Sequence, residues 1–124
     1  NALPGQVAAH TDGLSTVTLE DGSALQARTG DAGGPGSAAL ISIRPERVRL
    51  ARPDTPAASR LSAQVLEQIY LGDHVRLRMK VAGCDQFTMK APISKADRYP
   101  CAGERVDIEL SAEHLLALAP PQGA

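Results

Sequence analysis

Three histidines, His10, His74 and His114, are the side chains of this sequence best suited to metal ligation or proton transfer, and their placement argues against both. They lie far apart, and none sits in the H-E-x-x-H pattern that sets two ligands on one helical face. They read as surface or partly buried structural histidines. Ser42, Ser94 and Ser111 lack the glycine-flanked elbow that presents a nucleophile. Glu46 and Glu67 are conceivable as paired carboxylates, but no pocket is legible around them, and solvated strand faces account for both. The glycine-rich run GDAGGPGS, residues 30–37, has no lysine and no helix after it, so it reads as a loop.

Two cysteines, Cys84 and Cys101, do not form a C-x-x-C pair, which gives no support to a zinc or dithiol redox motif. They read as free thiols in a reducing cytosol, and a disulfide between them cannot be read from spacing. One charged stripe stands out: Arg76, Arg78 and Lys80. It is either the wet face of an antiparallel strand or a docking surface. Asp107 and Glu109, with Arg105, sit on another wet face and are expected to pair with it.

Composition narrows the function classes. The chain has 124 residues with 43% apolar content, enough for a packed core. Tyr70, Phe87 and Tyr99 are its only aromatics, too few for base stacking, and the net charge of −1 carries no basic stripe for a phosphate backbone. Nucleic acid is therefore not an expected partner. No G-x-x-x-x-G-K-[ST] loop is present, so the chain is not expected to hydrolyse ATP by itself. It opens on Asn1 rather than Met, which suggests a piece of a larger unit. No metal or cofactor site is expected within it.

The elements that must position these residues are short strands. Gly5–His10 reads as a strand, Asp12-Gly13 as a turn, Leu14–Glu20 as a strand and Asp21-Gly22 as a tight hairpin. Ala24–Arg28 returns, which makes an N-terminal three-stranded meander. Ala39–Arg44 is an apolar strand stopped by Pro45, and residues 46–50 are expected to resume extended structure. Leu61–Leu71 reads as a long bent strand. Val75, Leu77, Met79 and Val81 alternate with the charged stripe, a strict period of two with one buried face. Phe87 and Met89 face inward on the return strand, residues 92–103 read as a loop, and Val106, Ile108 and Leu110 alternate again. Ser111 is placed to cap a short turn over residues 112–114, and 115–119 close the structure.

The fold expected is all-β, a small barrel of the oligonucleotide/oligosaccharide-binding type. Residues 1–51 form an N-terminal β subdomain, 52–60 a connector, 61–119 an OB-like barrel half made of five strands, and 120–124 a tail. Within this frame Pro45 ends a strand, with Arg44 and Glu46 beside it as an ion pair, a turn clamp or a partner contact. Gly72 is expected to supply a bulge or a close backbone approach, and Tyr70 a core anchor with a tethered hydroxyl.

Four segments resemble one family. The opening Asn1 to Val7 resembles an N-x-x-x-G-x-V entry. Ile43-Arg44-Pro45-Glu46 resembles the I-R-P-E signature, Tyr70-Leu71-Gly72 the Y-L-G strand, and Gly103-Glu104-Arg105-Val106 a G-d-x-V entry. Together they are similar to the transport-associated OB-like (TOBE) domain of ATP-binding cassette importers, with Tyr70-Leu71-Gly72 most similar to the polyamine and ferric-iron branch. The resemblance implies a non-catalytic regulatory and dimerising domain. Its partners would be a second copy of the subunit, an N-terminal ATPase domain holding ATP and magnesium, and indirectly the permease on the cytoplasmic face of the membrane. Arg44, Pro45, Glu46, Tyr70, Leu71, Gly72 and Gly103 would be its structural or interaction residues. Related molybdate-binding domains share the opening pattern, so a small-oxyanion-binding module is the alternative.

Overall fold

The computed structural model describes residues 1–56, 60–93 and 99–120. Ten strands account for most of it: β1 Ala2–Thr11, β2 Leu14–Leu19, β3 Ala24–Thr29, β4 Ala38–Ser42, β5 Arg49–Leu50, β6 Arg60–Tyr70, β7 His74–Val81, β8 Cys84–Pro92, β9 Arg105–Glu109 and β10 Leu116–Leu118. The all-β, OB-like expectation holds, including the antiparallel meander β1-β2-β3.

The hairpin turns form where the sequence placed them. Asp12-Gly13 has φ of 51 and 79°, and Ala82-Gly83 has 50 and 85°, the left-handed pair that a two-residue hairpin needs. Gly22 stands at 89° in the β2–β3 turn. Along β7, Val75, Leu77, Met79 and Val81 are buried while Arg76 and Lys80 are exposed. Phe87 and Met89 meet them from β8, with Met79 opposite Phe87 and Leu77 opposite Met89.

Closure happens elsewhere than expected. The closed barrel is the first one, in the order β1-β2-β3-β10-β4. The C-terminal β10, read from sequence as part of the second half, returns to pair parallel to β3 and antiparallel to β4. The second sheet has the order β5-β9-β6-β7-β8 and curls without closing. β5, on the N-terminal side of the connector, belongs to this second sheet through Arg49–Glu109 and Leu50–Ile108 pairing. The two halves thus exchange strands over one continuous core that includes Leu3, Val17, Ile41, Val65, Leu77, Phe87, Ile108 and Ala117.

Several local readings change. Residues 45–47 form a 3-10 turn rather than a strand, because Pro45 fixes φ at its first position and Val48 then returns to extended backbone. The turn is closed by Arg47 N–H donating to Arg44 O at 2.9 Å. Arg44 and Glu46 do not pair with each other. The bend of β6 comes from a bulge between Val65 and Glu67, not from Gly72. Gly72 has φ of 88° and open space around it, so it serves the β6–β7 turn. The bulge sets Tyr70 opposite Val75, on the inward side, but at the last residue of the strand it overhangs the rim and is 65% exposed. It is no core anchor. The stripe Arg76–Lys80 does not meet Asp107 or Glu109, because β6 separates β7 from β9. Arg78 pairs with Glu67 at 3.5 Å instead.

Residues 57–59 of the connector, Ser94 within the 92–103 loop, and 121–124 of the tail lie outside the described residues. Cys84 is half-buried and Cys101 exposed, both as free thiols.

Candidate functional site

The junction of the two halves holds a polar concavity. Val48 is buried, and the residues on either side of it, Arg47 closing the 3-10 turn and Arg49 opening β5, are both exposed and border the same recess. Glu109 ends β9, Leu110 is buried behind it, and the chain turns through a 3-10 turn at Ala112–His114 towards β10. Arg47, Arg49, Arg52, Thr55, Ser111 and His114, with Glu109 and Glu113, line a cleft of about 420 Å³ there.

Hydrogen bonding decides which of these charges are committed. Arg52 Nε lies 3.4 Å from Glu109 Oε1, and Thr55 Oγ1 donates to Glu109 Oε2 at 3.1 Å. The same hydroxyl accepts from the Arg52 N–H at 2.9 Å. Arg60 holds the connector from behind, its Nη2 donating to Arg52 O at 2.7 Å and Thr55 O at 3.1 Å. Glu113 takes Ser111 Oγ at 3.4 Å and lies 3.8 Å from His114 Nε2. Both carboxylates are therefore engaged. Among the described residues, Arg47 and Arg49 have no acidic partner. Two guanidinium groups that cannot lose their charge face a recess with no counter-ion of their own, the arrangement that receives an anion.

A second cleft, about 410 Å³, marks the open seam of the curled sheet, with Glu46, Val48, Arg49 and Leu50 on one side and Met89 to Pro92 with Tyr99 on the other, so that Arg49 borders both clefts. A third polar feature lies in the first barrel. Ser15 is fully buried, and its Oγ sits 2.7 Å from His10 Nδ1 and 2.9 Å from Thr29 Oγ1. His10 Nε2 reaches Gly33 O at 2.8 Å. This chain of polar groups pins the glycine-rich loop to the barrel, as do Gly36 N–H to Val7 O and Val7 N–H to Ser37 O. Among the described residues no cluster of His, Cys, Asp and Glu is placed to hold a metal ion.

The seven residues singled out from sequence fall in three separate turns. Arg44, Pro45 and Glu46 make the 3-10 turn that packs on β8. Tyr70, Leu71 and Gly72 lead into the β6–β7 tip. Gly103, with φ of 92°, shapes the turn entering β9, where Glu104 N–H donates to Cys101 O at 3.1 Å. None of the seven lines the junction cleft. Arg47, Arg49, Arg52 and Thr55 were not singled out. The signal for the first two was present, since Arg47-Val48-Arg49 is itself a period-two pattern with one apolar centre.

A profile of the TOBE domain family matches residues 41–118, which span the 3-10 turn, the β6–β7 tip, Gly103 and the whole second sheet. The chain belongs to the TOBE domain family. A comparison with curated protein sequences finds no match. Among solved structures the TOBE chain is similar to a molybdate-bound crystal form of the cytoplasmic molybdate-binding protein ModG. The TM-score is 0.76 at 15% identity, over 97% of this chain and 96% of that one. At that identity the likeness is one of fold, and it extends over both halves of this chain.

Proposed function

We propose that this TOBE domain is a non-catalytic module that binds a small tetrahedral oxyanion in the junction cleft. The observation that carries the reading is the pair Arg47 and Arg49, which flank buried Val48, border the same recess and are left without acidic partners while Glu109 and Glu113 are engaged. Charge-assisted hydrogen bonds from guanidinium to oxyanion are among the stronger polar contacts available. The shared architecture with a molybdate-binding protein supports the same class of ligand. Titration calorimetry with molybdate, tungstate and sulfate tests it. Binding heat is expected with at least one of the three, and each of Arg47→Ala and Arg49→Ala should weaken it about tenfold or more. Silence with all three oxyanions sinks the reading.

Family membership favours a second reading, in which the domain serves as the regulatory and dimerising part of an importer ATPase on the cytoplasmic face of the membrane. Its partners would be a second copy, an ATPase domain and, indirectly, a permease. The polyamine or ferric-iron branch rests on Tyr70-Leu71-Gly72 alone. A symmetric dimer in sedimentation velocity, together with calorimetric silence, would favour this reading over the first.

A further inference from the structure

Three large apolar side chains stand exposed among the described residues, and all lie at one end of the second sheet: Tyr70 (65%), Leu71 (45%) and Ile93 (45%). Strand register explains the clustering. Leu71 N–H donates to His74 O at 2.9 Å across the Gly72-Asp73 turn, and His74 lies opposite Pro92. Leu71, His74 and Pro92 thus make the last rung, with Ile93 just beyond it. Ile69, Arg76 and Lys90 make a rung two residues further in. Side chains opposite one another share a face, and so do those two apart along a strand. Leu71, Ile69, Arg76 and Lys90 therefore occupy the outer face, while Val75, Leu77 and Met89 fill the core.

The charges on this face are unbalanced. Arg76 and Lys90 stand directly opposite each other, a like-charge pair that costs a strand pair stability. Among the described residues neither has an ion-pair partner, whereas Arg78 on the next outer rung is matched by Glu67. Among the described residues the acid nearest the tip is Asp73, and it is engaged by His74 Nδ1 at 2.6 Å. The hydrogen bond from His74 is the main reason its carboxyl sits below the usual range, with Lys90 adding a smaller pull.

We propose that this end of the second sheet docks on an anionic lipid bilayer, with Tyr70, Leu71 and Ile93 entering the headgroup boundary and Arg76 and Lys90 against lipid phosphates. Such a partner relieves the like-charge rung. Three apolar tips fall far short of the roughly 1,000 Å² that a specific protein interface needs. A fluid bilayer requires no complementary shape, and an apolar tip with flanking cations suits its interface. None of these five residues lines the junction cleft.

Co-sedimentation of the chain with mixed phosphatidylglycerol–phosphatidylcholine vesicles, against pure phosphatidylcholine, tests the proposal. Binding is expected to the anionic vesicles alone and should weaken as salt is raised. Neutralising both cations, as Arg76→Gln with Lys90→Gln, should lower the partition coefficient about thirtyfold. Leu71→Ser should weaken it too, and all these exposed variants should keep their oxyanion titration. The Arg47→Ala, Arg49→Ala double variant should bind vesicles as the parent does, so that either proposal can fail without the other. Absence of binding to anionic vesicles, or binding indifferent to these substitutions, overturns the inference. Retention on an immobilised acidic peptide without vesicle binding also overturns it, and gives the face to a protein instead.

Discussion

The carboxamide of Asn1 forms a two-bond ring with the backbone of Thr88, 87 positions away: Nδ2 donates to Thr88 O at 2.7 Å, and Thr88 N–H donates to Oδ1 at 2.9 Å. β8 is an edge strand, and the amide takes the place that a neighbouring strand would fill. Two rungs along the same edge, the Tyr99 hydroxyl donates to Pro92 O at 3.0 Å, and Pro92 has no N–H to satisfy. The edge is thereby blunted against pairing with another chain. The first residue of the N-x-x-x-G-x-V entry is thus a tie between the first barrel and the second sheet.

Asn1→Ala should therefore lower stability by about 1–2 kcal/mol, the net value of two partly buried hydrogen bonds. Asn1→Asp should not restore it, since a carboxylate can accept from Thr88 N–H but repels Thr88 O. Urea unfolding checks this. A fall in midpoint with an unchanged slope is expected, and a midpoint equal to the parent's would remove the tie from the account.

Gly5, the second fixed residue of that entry, is required by close approach. A Cβ there would lie 2.5 Å from Thr18 O and 2.7 Å from a Val17 methyl, and the first of these is backbone that cannot swing aside. Gly5→Ala must push β1 off β2 within the barrel wall, and a cost of about 1–3 kcal/mol is expected. Gly34→Ala is the control, because that position has open space and no positive φ. Thermal unfolding of the two variants should separate them clearly. Equal melting temperatures would mean that the barrel relaxes around the added methyl without strain.

What was legible in the sequence was local. The β7 alternation and the Asp12-Gly13 and Asp21-Gly22 turns follow from side-chain period and glycine conformation within a few residues. The return of Leu116–Leu118 to β3 and β4 was not legible, because a three-residue apolar strand carries no record of which distant edge it will join. Tyr70 was misplaced for a related reason. Its register does face it inward, but as the last residue of β6 it overhangs the rim, and nothing in Ile69-Tyr70-Leu71 marks where the core beneath it ends. The junction cleft escaped notice because its members come from four short segments, each unremarkable alone. The engagement of Glu109 by Arg52 and Thr55, which leaves Arg47 and Arg49 as the uncommitted charges, exists only in three dimensions.

The β2–β3 turn gives the protein a defined response to acid. Asp21 Oδ1 accepts the Ser23 N–H at 3.0 Å and also the Ser23 hydroxyl. The hydroxyl is the larger influence, slight burial opposes it, and the carboxyl is held below the usual aspartate range. A depressed folded-state pKa means that ionised Asp21 favours the folded turn. That contribution is complete above the unfolded aspartate pKa of about 4 and is lost as pH falls through the lower folded value. Asp73 acts with the same sign at the β6–β7 tip, through His74. Ser23→Ala should raise the Asp21 titration midpoint towards the ordinary value and leave Asp73 where it was, as read by carboxyl NMR shifts. An Asp21 midpoint indifferent to Ser23→Ala would show that the hydroxyl does not hold the charge, and would leave that role to the Ser23 N–H.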